Sequence, residues 1–281
     1  MVNSTFSQHL RSRLGICLAT AALCLSASGS LAAMTAWAEN EGGKMRIVAL
    51  PPTADGTVRG ALQIEPKSGW ITYWKEPGQA GIPPKITLTS ADSASITEIG
   101  FPIPKQFTVG DVRDIGYDHP VALPFTLKLA APDKPTTLRA SAFIGLCRNI
   151  CIPFQADFRL ELTAAGPLPY QENLILDEAI RHLPEKPSKD FAVTAYTLSD
   201  DRQNLSLSLK LPDETAVPQI FVAGPEGHVL LDQTNEKRSG DRYIVEMPVG
   251  KLPKNYDPHG KRWDILVVSG GRAMETSLAF E

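Results

Sequence analysis

Two cysteines separated by three residues, in Cys147-Arg148-Asn149-Ile150-Cys151, are the residues of this chain best suited to chemistry. Thiols this close can hold a disulfide and pass it on, a thiolate attacking a disulfide sulfur through a mixed-disulfide intermediate. A bond between them closes a loop of about five residues, which loop-closure entropy values at roughly 2 kcal/mol, against about 3 for a fifteen-residue loop. So short a bridge is a poor staple, and strained, accessible disulfides are the easily reduced kind. In an oxidising compartment a static bridge is the default, so spacing alone leaves a redox and a structural role side by side. Zinc fits badly: two thiolates need two further ligands, and His119, His182, His228 and His259 are scattered along the chain. We find no phosphate-binding loop, no metal-ligand spacing and no Ser-His-Asp pattern, so no cofactor or metal is expected.

The elements that must position the pair are strands. Leu138–Leu146 and Ile152–Leu162 are β-rich runs on either side of it. With Arg148, Asn149 and Ile150 as a three-residue loop, Cys147 faces Cys151, Leu146 faces Ile152, Ile144 faces Phe154, Ala142 faces Ala156 and Ala140 faces Phe158. Every pair on that face is apolar. A two-residue loop would throw Ile152, Phe154 and Phe158 onto the other face, and register follows the buried face. Against the longer loop, its third position often wants a left-handed residue, which Ile150 resists. In this register the cysteines are direct cross-strand neighbours on the face opposite the apolar stripe.

Elsewhere from Met45 to Leu162 the pattern is also strand-like, at Val58–Ile64, Trp70–Trp74 and Val121–Leu129, the last marked as an edge or bulged strand by Pro124. Pro77–Pro84 and Phe101–Asp118 read as loops, the second long and without a period. Trp70, Tyr73 and Trp74 read as sandwich core or edge. Asp111 and Asp114 flank the long loop; they could exchange protons with the thiols, or be solvated loop acids. Tyr170–Leu183 has a helical period, with Leu174, Ile175, Glu178, Ala179 and Leu183 on one face, and Pro184 ends it. Pro184–Lys189 is a stiff polar linker. From about Asp190 to Glu281, Val193–Leu198, Leu205–Leu211, Gln219–Ala223, Tyr243–Val249, Trp263–Val268 and Arg272–Phe280 are candidate strands, with a hairpin turn at Gly270-Gly271. The fold class is therefore mainly β, two immunoglobulin-like sandwiches joined by a short helix and linker.

The amino terminus reads as a secretory signal. Arg11 and Arg13 precede an apolar run of about a dozen residues, too short for a span of roughly 20, and Ala36-Trp37-Ala38 is an A-x-A cleavage site. Removal of residues 1–38 takes Cys17 and Cys24 with it and leaves Cys147 and Cys151 as the mature pair. It also removes two arginines and no acid, so the product is more acidic than the −3 of the whole chain. That balance excludes a footprint for nucleic acid or anionic lipid. The mature chain has no membrane span. The expected organisation is signal peptide 1–38, cysteine-bearing sandwich 39–167, helix and linker 168–189, and second sandwich 190–281.

The ordered motifs Gly69-Trp70-Ile71-Thr72-Tyr73-Trp74-Lys75-Glu76-Pro77-Gly78, Gly81-Ile82-Pro83-Pro84, Phe101-Pro102-Ile103-Pro104-Lys105-Gln106-Phe107, Gly116-Tyr117, Leu123-Pro124 and Cys147-Arg148-Asn149-Ile150-Cys151-Ile152-Pro153 resemble the amino-terminal periplasmic domain of the DsbD/ScsB thiol:disulfide interchange proteins. The likeness covers about residues 45–162, and the helix and second β unit resemble the longer ScsB-type ectodomain. It implies an immunoglobulin-like domain in the periplasm whose pair relays electrons from a membrane-embedded reductase, here a separate protein, to periplasmic thioredoxin-fold proteins. Cys151 resembles the attacking cysteine and Cys147 the resolving one. The loop before Gly116 resembles a cap over the pair, with Phe107 as its covering aromatic. The three-residue gap and the loop sequence Phe107-Thr108-Val109-Gly110-Asp111 depart from the better-known DsbD pattern. The competing expectation is a non-enzymatic adaptor with a static Cys147–Cys151 bridge.

Overall fold

The computed structural model describes residues 34–78, 80–89, 94–109, 112–132, 134–162 and 169–281. Positions 1–33 of the expected export signal and Asp111 lie outside the described residues. The described residues fall in one compact unit.

The first half runs through β1 (Ala38–Glu39), β2 (Gly43–Ala49), β3 (Thr57–Pro66), β4 (Thr72–Gly78), β5 (Lys85–Leu88), β6 (Ala94–Ile99), β7 (Lys105–Val109), β8 (Val112–Tyr117), β9 (Val121–Leu129), β10 (Thr136–Cys147) and β11 (Cys151–Leu162). Helix α1 (Tyr170–Arg181) follows. The second half holds β12 (Ala192–Leu198), β13 (Asn204–Lys210), β14 (Gln219–Ala223), β15 (Val229–Leu230), β16 (Thr234–Ser239), β17 (Arg242–Pro248), β18 (Arg262–Ser269) and β19 (Arg272–Ala279). The fold is mostly β, and its sheets are consistent with two immunoglobulin-like sandwiches joined by a short helix.

Three sheets build the first half, in the orders β1-β2-β3-β9-β6, β11-β10-β5 and β4-β8-β7. Alternation drives their packing: Met45, Ile47, Leu62, Ile64, Leu123, Leu138, Ile144 and Phe158 turn inward to one core. The β10–β11 register matches the apolar-face argument residue for residue, from Thr136 opposite Leu162 to Cys147 opposite Cys151. The tip closes with the Arg148 N–H donating to the Ile150 carbonyl at 3.2 Å. Among the described residues, positive φ outside glycine occurs at Arg202, Asn235 and Asn255, so the tip turns without a left-handed Ile150.

Some expectations are corrected. The segment 101–118 is not a plain loop, since β7 and β8 form a hairpin that pairs with β4. Its sequence hid this because Lys105, Gln106 and Thr108 break any clean apolar alternation. Pro124 does not mark an edge, for β9 lies inside its sheet. The β6 ladder ends at Ile99 opposite Phe125, one position short of the proline, so no donor is missed. In α1 the buried side chains are Leu176 and Ala179, whereas Leu174 is half exposed. Residues just before the expected cleavage point join the sheet edge. Met34 bridges to Val48, and Trp37 lies 4.4 Å from Lys44 Nζ and 4.3 Å from the Arg46 guanidinium.

Two sheets, β12-β13-β17-β16 and β15-β14-β18-β19, form the second half. Phe191, Leu205, Leu207, Ile220, Val222, Val245, Trp263, Ile265 and Val267 fill its core. On the opposite face of β14, β18 and β19, Phe221, Leu266 and Ala273 join the core of the first half. This sheet is therefore buried on both faces, the physical reason for the unbroken apolar run Ile265-Leu266-Val267-Val268. The Pro184–Lys189 segment is pinned: Glu185 bridges to Met274, and Arg272 bonds both Glu185 and Asp190.

Candidate redox site

Cys147 and Cys151 close the tip of the β10–β11 hairpin as a disulfide, with Cα atoms 4.1 Å apart. The two cysteines differ in access. Cys147 is 5 % exposed, covered by Ile71, whose N–H donates to the Cys147 carbonyl at 2.8 Å and whose carbonyl accepts from Cys147 N–H at 2.9 Å. Cys151 is exposed. The face opposite the apolar stripe is thus not open throughout; the residues leading into β4 cover its Cys147 side.

Tyr73 is the side chain that sequence reasoning assigned elsewhere. Its hydroxyl lies 3.2 Å from Cys151 Sγ and 3.3 Å from Asp114 Oδ2, at which it donates. Two glycines make the approach possible. A Cβ on Gly145 would stand 2.6 Å from Ile82 Cβ and 3.0 Å from Tyr73 Cδ2, and one on Gly116 would stand 2.0 Å from the Thr72 carbonyl oxygen. Gly145 makes room for the Tyr73 ring against the hairpin, while Gly116 lets β8 close on β4, with Tyr73 opposite Gly116 and Thr72 opposite Tyr117. Asp114, on β8, is the expected loop acid that does reach the site. The Ala80 N–H donates to its other oxygen at 3.4 Å, and the Ala80 carbonyl is 4.0 Å from Cys151 Sγ.

The hydroxyl of Tyr73 has one hydrogen and two acceptors, the carboxylate of Asp114 and the sulfur of Cys151. In the disulfide the sulfur is a weak acceptor. Once the pair is reduced, a Cys151 thiolate is a strong one, and a hydrogen bond to a charged form favours that form. Burial, reinforced by the Asp114 charge, raises the Tyr73 pKa above its ordinary value, so the phenol keeps its proton across the working range. Phe107 sits on β7 directly across from Asp114 and is partly exposed. It is thus one ladder step from the Tyr73–Asp114 pair. Little in the sequence singled out Tyr73, since an aromatic at an inward strand position reads as core; only its place two residues after Ile71, which flanks Cys147, ties it to the hairpin tip.

The fold and the site together define a class. Residues 44–163 match the model of the family described as thiol:disulfide interchange protein DsbD, N-terminal, which supports thiol–disulfide interchange at the level of the family. The whole chain is similar to the crystal structure of the N-terminal periplasmic domain of ScsB from Proteus mirabilis, with 25 % identity and a TM-score of 0.67 over 89 % of this chain and 100 % of that one. No curated protein matches the chain. Among the described residues, no helix is long and apolar enough to cross a membrane.

Proposed function

We propose that this chain is exported to the periplasm and relays electrons through Cys147 and Cys151, from a membrane-embedded thiol reductase to periplasmic thioredoxin-fold proteins. The observation that carries the reading is the asymmetry of the pair: an exposed residue, Cys151, whose sulfur lies beside a phenol, bonded to a buried Cys147. The reduced Cys151 thiolate attacks one sulfur of a partner disulfide, a Cys151–partner bond forms, and the partner's second sulfur leaves as a thiolate. Cys147 then attacks Cys151 Sγ, which releases the partner as a dithiol and restores the Cys147–Cys151 bond. Two electrons pass to the partner. Residues 39–167 carry this chemistry, 168–189 connect, and 190–281 form the second sandwich. Phe107 is the shielding residue of the β7–β8 cap, and Phe107→Ala should speed reduction of the pair by dithiothreitol.

Trapping tests the order of attack. Cys147→Ala should accumulate mixed disulfides with a thioredoxin-fold protein, because the resolving thiol is gone, and Cys151→Ala should trap little. Equal trapping by both would overturn the assignment. A reduction potential near −200 mV fits exchange, whereas one below about −300 mV marks a static bridge and an adaptor. Export predicts a mature amino terminus at Glu39, read by terminal sequencing of periplasmic material.

A further inference from the structure

One strand serves both the disulfide and the second sandwich. At its start, Ile71 brackets the Cys147 backbone and Tyr73 reaches Cys151 Sγ. Immediately beyond Tyr73 the ladder to β8 loses its register and regains it at Gly78 opposite Asp114. Contacts to the second half hold the intervening stretch. The Trp74 ring packs against Phe221 with centroids 6.1 Å apart. Lys75 Nζ donates to Asp264 Oδ2 at 2.8 Å and lies 2.5 Å from Glu275 Oε1, on β18 and β19. Ser277 Oγ donates to the other Asp264 oxygen at 2.8 Å. The ammonium is therefore fixed at two points, on neighbouring strands of a sheet buried on both faces, two residues past Tyr73, the last paired position before the gap.

We infer that Lys75 is a positioning residue for the thiol chemistry: through Asp264 and Glu275 the second sandwich sets where the Tyr73 hydroxyl stands against Cys151. The inference rests on the exchange reading for its biological meaning, but its test needs no partner protein. Without the clamp, the stretch from Trp74 to Pro77 loses its polar anchor, and the ring that ends at Cys151 is free to shift on Gly145. A hydroxyl moved away from the sulfur no longer stabilises the thiolate, so the ionisation midpoint of Cys151 rises. The charged and titratable groups around the thiol are Tyr73 and Asp114, with Arg148 at the hairpin tip near Gly69. Around the ammonium they are Asp264, Glu275, Glu76 and, on β8, the Tyr117 phenol.

The experiment follows the alkylation rate of Cys151 by iodoacetamide against pH, in the mature chain of residues 39–281 carrying Cys147→Ala, so that Cys151 is its single thiol. Lys75→Met alone leaves two partly buried carboxylates without their cation, a like-charge pair that would disturb the site by itself. The main variant is therefore Lys75→Met/Asp264→Asn/Glu275→Gln, which removes the charges together, and Glu275→Gln alone is the milder companion. Near-ultraviolet circular dichroism verifies that each is folded. The triple variant should raise the midpoint and slow alkylation at neutral pH by about threefold to tenfold, half a unit to one unit of ionisation. Glu275→Gln should shift it less, and Lys75→Arg should keep it close to the parent. In a Tyr73→Phe background the triple change should add nothing, because groups that act through one another are not additive. An unchanged profile in both folded variants, or a shift of equal size with and without Tyr73, overturns the inference. Failure of the exchange reading would show separately, as an absence of mixed disulfides from the Cys147→Ala chain.

Discussion

At the scale of single residues, the site depends on where one phenol can lie. Gly145→Val would place methyl groups where the Tyr73 ring and Ile82 now meet the hairpin. Overpacking of this kind costs about 1–3 kcal/mol, but the larger effect should be chemical, with the Tyr73 hydroxyl pushed from Cys151. The variant should stay folded, by a urea midpoint measured with the disulfide intact, while alkylation of the reduced Cys151 slows at neutral pH. Tyr73→Phe should reproduce the slowing with a smaller loss of stability. The cysteines and their pairing were legible in the sequence because four apolar cross-strand pairs allow one register. Tyr73 was not, because burial of an aromatic on a strand looks the same whether its hydroxyl meets a carboxylate, a sulfur or nothing.

At the scale of elements, β4 and β8 carry buried tyrosines whose ionisation should report on the fold. Burial raises the pKa of Tyr73, Tyr117 and Tyr243, with nearby carboxylates adding to the effect in each case. A folded pKa above the unfolded value of about 10 means that the folded state prefers the protonated phenol. Its contribution to stability is therefore full below pH 10 and is lost as pH rises through the raised values. Absorbance at 295 nm should show these three of the six tyrosines resisting titration until the chain unfolds. A smooth titration of all six near pH 10 in folded protein would contradict it. Sequence patterns recovered most of the strands, β14 to the residue. They missed β16, whose Thr-Asn-Glu-Lys-Arg-Ser is exposed throughout and so carries no alternation. They also missed the β7–β8 hairpin, because Lys105, Gln106 and Thr108 hide the alternation of β7, although Ile115 and Tyr117 of β8 are buried.

At the scale of the whole molecule, the interface between the halves is apolar at its centre and ionic beside it. Phe221 and Leu266 enter the core of the first half, and Lys75 meets Asp264 and Glu275 at the border. Truncation of Phe221 to alanine should cost about 3–5 kcal/mol, as for a fully buried phenylalanine. It should destabilise both halves together, so that denaturant unfolding read by the tryptophans stays a single transition at a lower midpoint. A loss confined to one half, with a plateau between two steps, would show that the interface contributes little. The run Ile265–Val268 was visible as strand, yet its unbroken apolarity had a meaning that emerges only from the assembled layers: both of its faces are covered.

That doubly covered sheet also bears on the order in which the molecule comes together. A ribosome delivers the Trp74 face long before Phe221 and Leu266, so the nascent first half spends part of its life with a greasy flank that nothing yet hides. The late arrival of β14, β18 and β19 acts as a built-in chaperone for the earlier segment. A chain halted after α1 should accordingly be sticky: bound by general holdases, prone to self-association at moderate concentration, and rescued by adding the missing carboxy-terminal piece as a separate polypeptide.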